Sequence, residues 1–328
     1  MQKRMLGESG IGVSAMGLGC ITLGGPWKRR HRGGAVYDPG EVDRKGIARA
    51  VDLALERGVS FFDTAANYGA GRSERMLGEL LGARKHKAVI ATKFGYRVNE
   101  ATNTTSFYED DEVAGDVASH VREDCEASLR RLRTDTIDLF LFHVNRYAPE
   151  KAAEVRDVLE ELVEEGKIRA YGWSTDDPEG ARVFAEGKHC AAIEHHLNLA
   201  HDDPEILEVC ELFGLASINY SPLAAGLLSG KYRPGHVFPA NDRRRAGYGD
   251  AANRTLKQLD TVREILMSDG RSVVQGALGW IWARSGRTIP IPGFRTAAQV
   301  EENAGALDFG PLGKGQMLEI EAILRPDE

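Results

Sequence analysis

Long apolar runs are missing from this chain. No stretch approaches the roughly 20 residues needed to cross a bilayer, so no membrane association is expected. Residues Met1 to Leu6 are polar and basic, and no apolar signal core follows them. Cysteine is scarce: Cys20, Cys125, Cys190 and Cys210 are the four in 328 residues, far apart and without a CxxC pair. That pattern argues against a disulfide framework and for reduced thiols in a cytoplasmic protein. An excess of positive charge is lacking too. The 42 Lys and Arg against 49 Asp and Glu leave a net charge of −7, so no nucleic-acid partner is expected. The densest basic run, Arg243-Arg244-Arg245, reads as a solvated loop.

Three familiar site signatures also fail. Gly17, Gly19 and Gly24 have the wrong final spacing for a dinucleotide GxGxxG fingerprint. Leu223 to Lys231 tempts a P-loop reading, but its glycines sit one residue too close, and Tyr232 stands where a Mg²⁺-binding Ser or Thr belongs. His189, Cys190, Glu194, His195, His196 and His201 invite a zinc site, yet they have no zinc-ligand spacing. Neighbouring strand residues point to opposite sides, which separates His195 from His196. No metal is expected.

What is present is a regular alternation. A hairpin is expected from Lys3–Leu6 against Gly12–Ala15, placed to plug one end of a barrel. Eight short β-rich segments follow, at 16–19, 59–62, 89–93, 137–142, 168–173, 191–193, 215–220 and 288–291. Between them lie helical stripes such as Asp43–Arg57, with apolar Ile47, Val51, Ala54 and Leu55, stopped by Gly58. Ser73 is expected to N-cap the next helix, through Leu81. Alternating β and α elements imply a parallel sheet. Eight repeats imply a closed (β/α)₈ TIM barrel, a single domain over residues 1–328. Long polar loops at 24–40, 95–115 and 222–249 are placed on its C-terminal face. Substrate specificity resides on that face in such barrels.

Four ionisable residues stand at three successive strand ends: Asp63 and Tyr68 after the second strand, Lys93 in the third, His143 after the fourth. A lysine beside a phenol favours phenolate and lowers its pKa. Asp63 would hold that lysine and balance its charge, and His143 would hydrogen-bond a substrate oxygen. Together they form a general acid beside an oxyanion position, suited to protonating a carbonyl oxygen. Trp27 and Tyr96, aromatics in the long loops, are candidates for the substrate pocket.

At these residues the chain resembles the aldo-keto reductase superfamily over nearly its whole length. Asp63-Thr64-Ala65-Ala66-Asn67-Tyr68-Gly69, with Gly71 and Ser73-Glu74, is similar to the first signature of that family. Ala91-Thr92-Lys93-Phe94-Gly95 resembles its lysine strand, and Asp138 to His143 its histidine strand. The resemblance implies a metal-free NADPH-dependent oxidoreductase that reduces an aldehyde or ketone, a keto-sugar among the options. Asp63, Tyr68, Lys93 and His143 would be its catalytic tetrad, with Tyr68 as acid–base. It further implies nicotinamide contacts from Ser174, Thr175 and Glu194, with Tyr220 stacked on the ring. Ser221, Leu223 and Gly226 would lie along the pyrophosphate. Gly293, Arg295, Gln299, Glu302 and Asn303 would hold the adenosine phosphate, favouring NADP(H) over NADH. Thr175 and Glu194 depart from the Asn and Gln usual in the family. A carboxylate can accept from a carboxamide NH₂ but, unlike Gln, cannot donate. Two other readings stay open at this point. One is an NADPH-binding regulatory or sensor subunit with slow turnover. The other is an isomerase using Lys93 as a Schiff base.

Overall fold

The structure is a computed structural model, and it describes residues 3–30, 33–40, 42–108, 116–239, 242, 244–245 and 249–324. Its strands in chain order are β1 (Lys3–Met5), β2 (Gly12–Ser14), β3 (Gly17–Gly19), β4 (Trp27–Arg29), β5 (Ala35–Tyr37), β6 (Phe61–Asp63) and β7 (Val89–Phe94). They continue with β8 (Arg97–Asn99), β9 (Thr104–Ser106), β10 (Ile137–Phe142), β11 (Ile168–Ser174), β12 (Cys190–His196), β13 (Ala216–Tyr220) and β14 (Thr288–Pro290). Eight of these form one parallel sheet in the order β14-β13-β12-β11-β10-β7-β6-β3. The sheet closes on itself where Gly19 pairs with Gly293 and the Gly19 amide donates to the Pro292 carbonyl at 3.1 Å. This is the expected (β/α)₈ barrel, with helices in the connections. No helix among the described residues is long and apolar enough to cross a membrane.

Strand periodicity of two decides what the barrel contains. Phe61, Ala91, Leu139, Leu141, Ala170, Ala192, Ala216, Ile218 and Ile289 pack inside it with Leu6, Ile11 and Val13. Phe62, Ile90, Phe140, Phe142, Trp173 and Ile193 face the helices in a separate core. Each such side chain contributes about 1.5–3 kcal/mol on burial. Continuing the inward parity gives Asp63, Lys93, His143, Glu194 and Tyr220 two residues beyond the apolar row, and in β11 gives Ser174 four residues beyond Ala170, past Gly172. The polar top of the barrel is therefore the extension of its apolar core rows. At the other end the β1–β2 hairpin pairs Lys3 with Ser14 and buries Leu6, Ile11 and Val13 as a plug.

Two local expectations change. Ser73 does not cap its helix; Gly71, at φ +89°, stands at the N-cap of the helix Arg72–Leu81. The Ser73 hydroxyl turns inward instead, 2.8 Å from the Thr64 hydroxyl and 2.8 Å from the Cys20 carbonyl. The loops at 24–40 and 95–115 are not simple loops where described. Antiparallel β4–β5 and antiparallel β8–β9 join through parallel β4–β9, Lys28 opposite Thr104, into a second, four-stranded sheet. The Asn103 side chain seals the join by donating to the Pro26 carbonyl at 2.9 Å. Residues 109–115 of the expected flap lie outside the described residues.

Candidate active site

A cavity of about 890 Å³ opens at the top of the barrel. That volume is at the upper end of the ~300–1,000 Å³ usual for ligand sites. Its floor contains Asp63, Tyr68, His143, Ser174, Glu194 and Tyr220. Lys93 stands fully buried behind them. Its ammonium donates to both Asp63 oxygens at 2.5 and 2.6 Å and to the Thr64 carbonyl at 3.1 Å. It also reaches Glu194 Oε2 at 3.2 Å. The Ser174 hydroxyl donates to the other Glu194 oxygen at 3.2 Å.

Tyr68 is carried on a turn that the sequence makes tight. The Ala66 amide donates to the Lys93 carbonyl at 3.0 Å, tying the turn to β7. Gly69 follows at φ +61°, and a Cβ there would lie 2.0 Å from the Gly24 carbonyl oxygen, so only glycine fits. Lys93 Nζ lies 5.4 Å from the Tyr68 ring centroid. The His143 ring meets Tyr68 edge-on at 5.8 Å and Tyr96 edge-on at 5.5 Å. Beyond His143 the chain is fixed by Trp173, whose indole N–H donates to the Val144 carbonyl at 2.9 Å.

The electrostatics correct one expectation. Burial pushes the Tyr68 phenol up, and the pull of Lys93 is opposed by Asp63 and Glu194, so the net direction is upward. The lysine does not make a ready phenolate; it stands beneath a phenol that keeps its proton. Burial alone would lower Lys93, but Asp63 and Glu194 outweigh it and hold the ammonium. An amine held this firmly as ammonium is a poor Schiff-base nucleophile, which removes the support for the isomerase reading. Burial raises Asp63, against the pull of Lys93. Burial, with Asp63 adding to it, pushes Glu194 up to about 8.

The wall beside Tyr220 is a stack of rings. Tyr220 and His196 are nearly parallel, 4° apart, with centroids at 5.2 Å, and His201 lies 4.2 Å beyond. The Tyr220 hydroxyl donates to Asp176 at 2.6 Å. Burial of His196 pushes its pKa down to about 4, so the imidazole packs as a neutral ring. His195 points away, 2.8 Å from Ser217 and 3.1 Å from Asp203, and His189 is held by Glu160.

Most of the remaining residues singled out from the sequence line this cavity: Tyr96, Ser221, Leu223, Gly226, Gly293, Arg295, Gln299, Glu302 and Asn303. Two do not. Thr175 is fully buried and turned away, donating to the Asn145 carbonyl at 2.6 Å and accepting from the Asp177 amide at 3.0 Å. Trp27 is buried behind the lining residue Tyr37, ring centroids 4.6 Å apart. Sequence reasoning missed Tyr37, Asn145 and Arg244 among the lining residues. Arg244 is not the solvated residue that its run suggested. It is paired with Asp242 at 2.5 Å and lies over the Tyr232 and Phe238 rings at 4.7 and 4.5 Å. Only the clustering of Tyr232 and Phe238 near the run hinted at this.

A charged, ring-bearing ligand suits the donor set. Arg295 and Lys231 line the cavity and supply cations for phosphate groups, whereas Arg244 is already paired with Asp242. The N-terminus of the helix Ala297–Phe309 adds a positive dipole end beside Arg295. Gly226, at φ +92°, leaves its backbone open to close approach. Tyr220 presents a flat face held by its stack, and the small side chain of Ser174 leaves room above Glu194.

The aldo/keto reductase family profile matches residues 15–325. The probable aldo-keto reductase 1 of Glycine max is 30% identical over 315 residues, 94% of this chain and 84% of that one. The aldo-keto reductase yakc [NADP(+)] of Schizosaccharomyces pombe is 30% identical over 308 residues, 90% of this chain and 84% of its own. Among solved structures, the glycerol dehydrogenase from Gluconobacter oxydans superposes with a TM-score of 0.80 at 29% identity, covering 99% of this chain and 95% of that one.

Proposed function

The chain belongs to the aldo/keto reductase family, and from that premise we propose that it is an NADP(H)-dependent oxidoreductase that reduces an aldehyde or ketone to an alcohol. The observation that carries this reading is the buried Lys93, paired to Asp63 and Glu194 directly beneath the Tyr68 ring, with His143 edge-on at 5.8 Å. Bound against Tyr220, the cofactor would supply hydride to the carbonyl carbon. Tyr68, which keeps its proton, then donates it to the developing oxyanion. Lys93 offsets the negative charge left on the phenol, and Asp63 fixes the ammonium in place. His143 and Tyr68 together bracket the carbonyl oxygen, which sets the orientation of the substrate. Thr175 acts indirectly, by holding the Asn145 carbonyl.

Arg295 and Lys231 support a dinucleotide carrying an additional phosphate. The polar floor, with Tyr37, Asp38 and Tyr96 on the outer wall, supports small hydroxylated carbonyls such as ketoses as substrates. Four free, buried cysteines fit a reducing, cytosolic setting for the single barrel.

The test is NADPH consumption over aldehydes, ketoses and keto-sugars, repeated with NADH and in the oxidative direction. Tyr68→Phe should lower turnover by about 10²- to 10⁴-fold, the usual share of general acid catalysis. NADPH binding should be unchanged. Full turnover in that variant would remove Tyr68 from the mechanism.

A further inference from the structure

The barrel floor holds two carboxyl groups and one ammonium, all within 3% of complete burial. Fully ionised, that triad would leave an uncompensated negative charge out of water, which buried sites avoid by taking up a proton. The geometry says which group takes it. Asp63 receives both short contacts from Lys93, at 2.5 and 2.6 Å, and stays the ionised partner. Glu194 has the longer contact, 3.2 Å, and that same oxygen, Oε2, is buried without a hydrogen-bond partner among the described residues, while Oε1 accepts from Ser174. A proton on Glu194 neutralises the buried carboxyl that Lys93 compensates least and leaves Asp63 as the ionised partner. The upward push of Glu194 to about 8, from burial first and Asp63 second, agrees.

The charged and titratable groups around this cluster come from several elements, with the buried Cys20 thiol beside Asp63 and Lys93 and the His143 ring beside Tyr68. Asp63 comes from β6, Lys93 from β7, Tyr68 from the turn after β6, and Tyr220 from β13. Ser174 on β11 adds a neutral donor. On β12 itself, His195 faces the other way, toward Ser217. Among these, only Lys93 is a cation. Glu194 also lines the open cavity beside Tyr68 and Tyr220, so a ligand seated there sees its carboxyl.

We propose that Glu194 discriminates between the redox forms of the cofactor: oxidised, cationic nicotinamide binds with release of the Glu194 proton, and the neutral reduced ring binds with that proton retained. This rests on the reading of the cavity as an NADP(H) site. The binding step balances simply. Protonated enzyme plus NADP⁺ gives the complex with Glu194 ionised plus one proton to solvent, while NADPH binding releases none. Glu194 thereby sets how strongly the site prefers product over substrate cofactor as pH changes.

The experiment measures dissociation constants of NADP⁺ and NADPH for the whole enzyme from pH 6 to 9, without carbonyl substrate. The ratio of the two constants cancels titration of the cofactor phosphates, which both forms share. Wild type should show that ratio shifting toward NADP⁺ by up to about tenfold per pH unit below pH 8, the response to one linked proton, then levelling. Calorimetry at pH 7 in two buffers of different ionisation enthalpy should show close to one proton released with NADP⁺ alone. Glu194→Gln should make the ratio independent of pH. Ser174→Ala, which removes a donor to the carboxylate, should move the levelling to higher pH. A pH-independent ratio in wild type, or a slope that survives Glu194→Gln, or no displacement in Ser174→Ala, overturns the inference. Failure of both cofactors to bind wild type overturns the NADP(H) reading instead.

Discussion

Replacing Lys93 by Met tests the charge accounting of the barrel floor without reference to any ligand. Met keeps the length and apolar stem of lysine, so packing is disturbed little. Removal of the ammonium leaves Asp63 and Glu194 buried with no cation. Asp63 then has to bind a proton to stay folded. From an unfolded pKa near 4, doing so at pH 7 costs about 4 kcal/mol, since each unit is about 1.4 kcal/mol. That value lies within the ~3–5 kcal/mol typical of breaking a buried pair by removing one partner.

The pH dependence is the sharper signature. A carboxyl whose folded pKa is raised binds its proton preferentially in the folded state. Its stabilisation is complete below the unfolded value and is lost as pH rises to the folded one. Glu194, raised to about 8, does this in wild type between the ordinary glutamate range and about pH 8. In Lys93→Met, Asp63, already raised by burial in wild type, loses the opposing pull of Lys93 and keeps its proton to higher pH. The gap in stability between variant and wild type should therefore widen by up to about 1.4 kcal/mol per pH unit, or up to about 3 kcal/mol from pH 5 to pH 7. Urea denaturation followed by fluorescence of the four tryptophans measures it. A gap that is constant with pH would refute the assignment of Asp63 as the ionised partner of Lys93.

Other substitutions follow from the same structure. Arg131→Ala strips the buried Glu74 of its 2.5 Å partner and should cost about 3–5 kcal/mol in urea melts; because Arg131 also reaches Glu100 beside β8, proteolysis within residues 97–106 should accelerate. Gly69→Ala forces a Cβ to 2.0 Å from the Gly24 carbonyl at φ +61°; about 1–3 kcal/mol of strain is expected, with a fall in kcat and NADPH affinity retained. Asp124 is pushed up to about 7 by burial, against the Tyr108 hydroxyl and the Gly95 amide. Its raised folded value makes wild type lose stability as pH rises from about 4 to about 7. Asp124→Asn should flatten that loss by about 3 kcal/mol between pH 5 and 7, and an unchanged slope would count against it.

The alternation of strands and helices was readable because each barrel strand is a short apolar run with its own stop signals. The inward row of site residues was readable because parity carries it from Phe61 to Asp63, from Ala91 to Lys93 and from Leu141 to His143. What escaped were choices made over long range. Ser73 has the chemistry of a helix cap, but the Cys20 carbonyl and the Thr64 hydroxyl compete for it more successfully. Thr175 has the position of a cavity residue, yet its hydroxyl is drawn outward to Asn145. The β4–β9 pairing joins polar segments with no periodicity of their own, so nothing local announces it. The upward shift of Tyr68 is set first by its burial, with Asp63 and Glu194 opposing the pull of Lys93, and strand order alone does not give that balance.

The second sheet has a consequence for how this barrel can diversify. In most barrels each top-face loop is an independent module, free to change length without consulting its neighbours. Here the connections after β3 and after β7 share one ladder, with Lys28 opposite Thr104 and Arg29 opposite Thr105. An insertion in either segment shifts the register of the other. Exchange of a single loop with a relative would leave backbone donors unpaired beside Tyr37 and Tyr96, whereas exchange of both together preserves the ladder. On this side of the cavity, new specificity is acquired by paired loops or by side-chain substitution on a fixed frame.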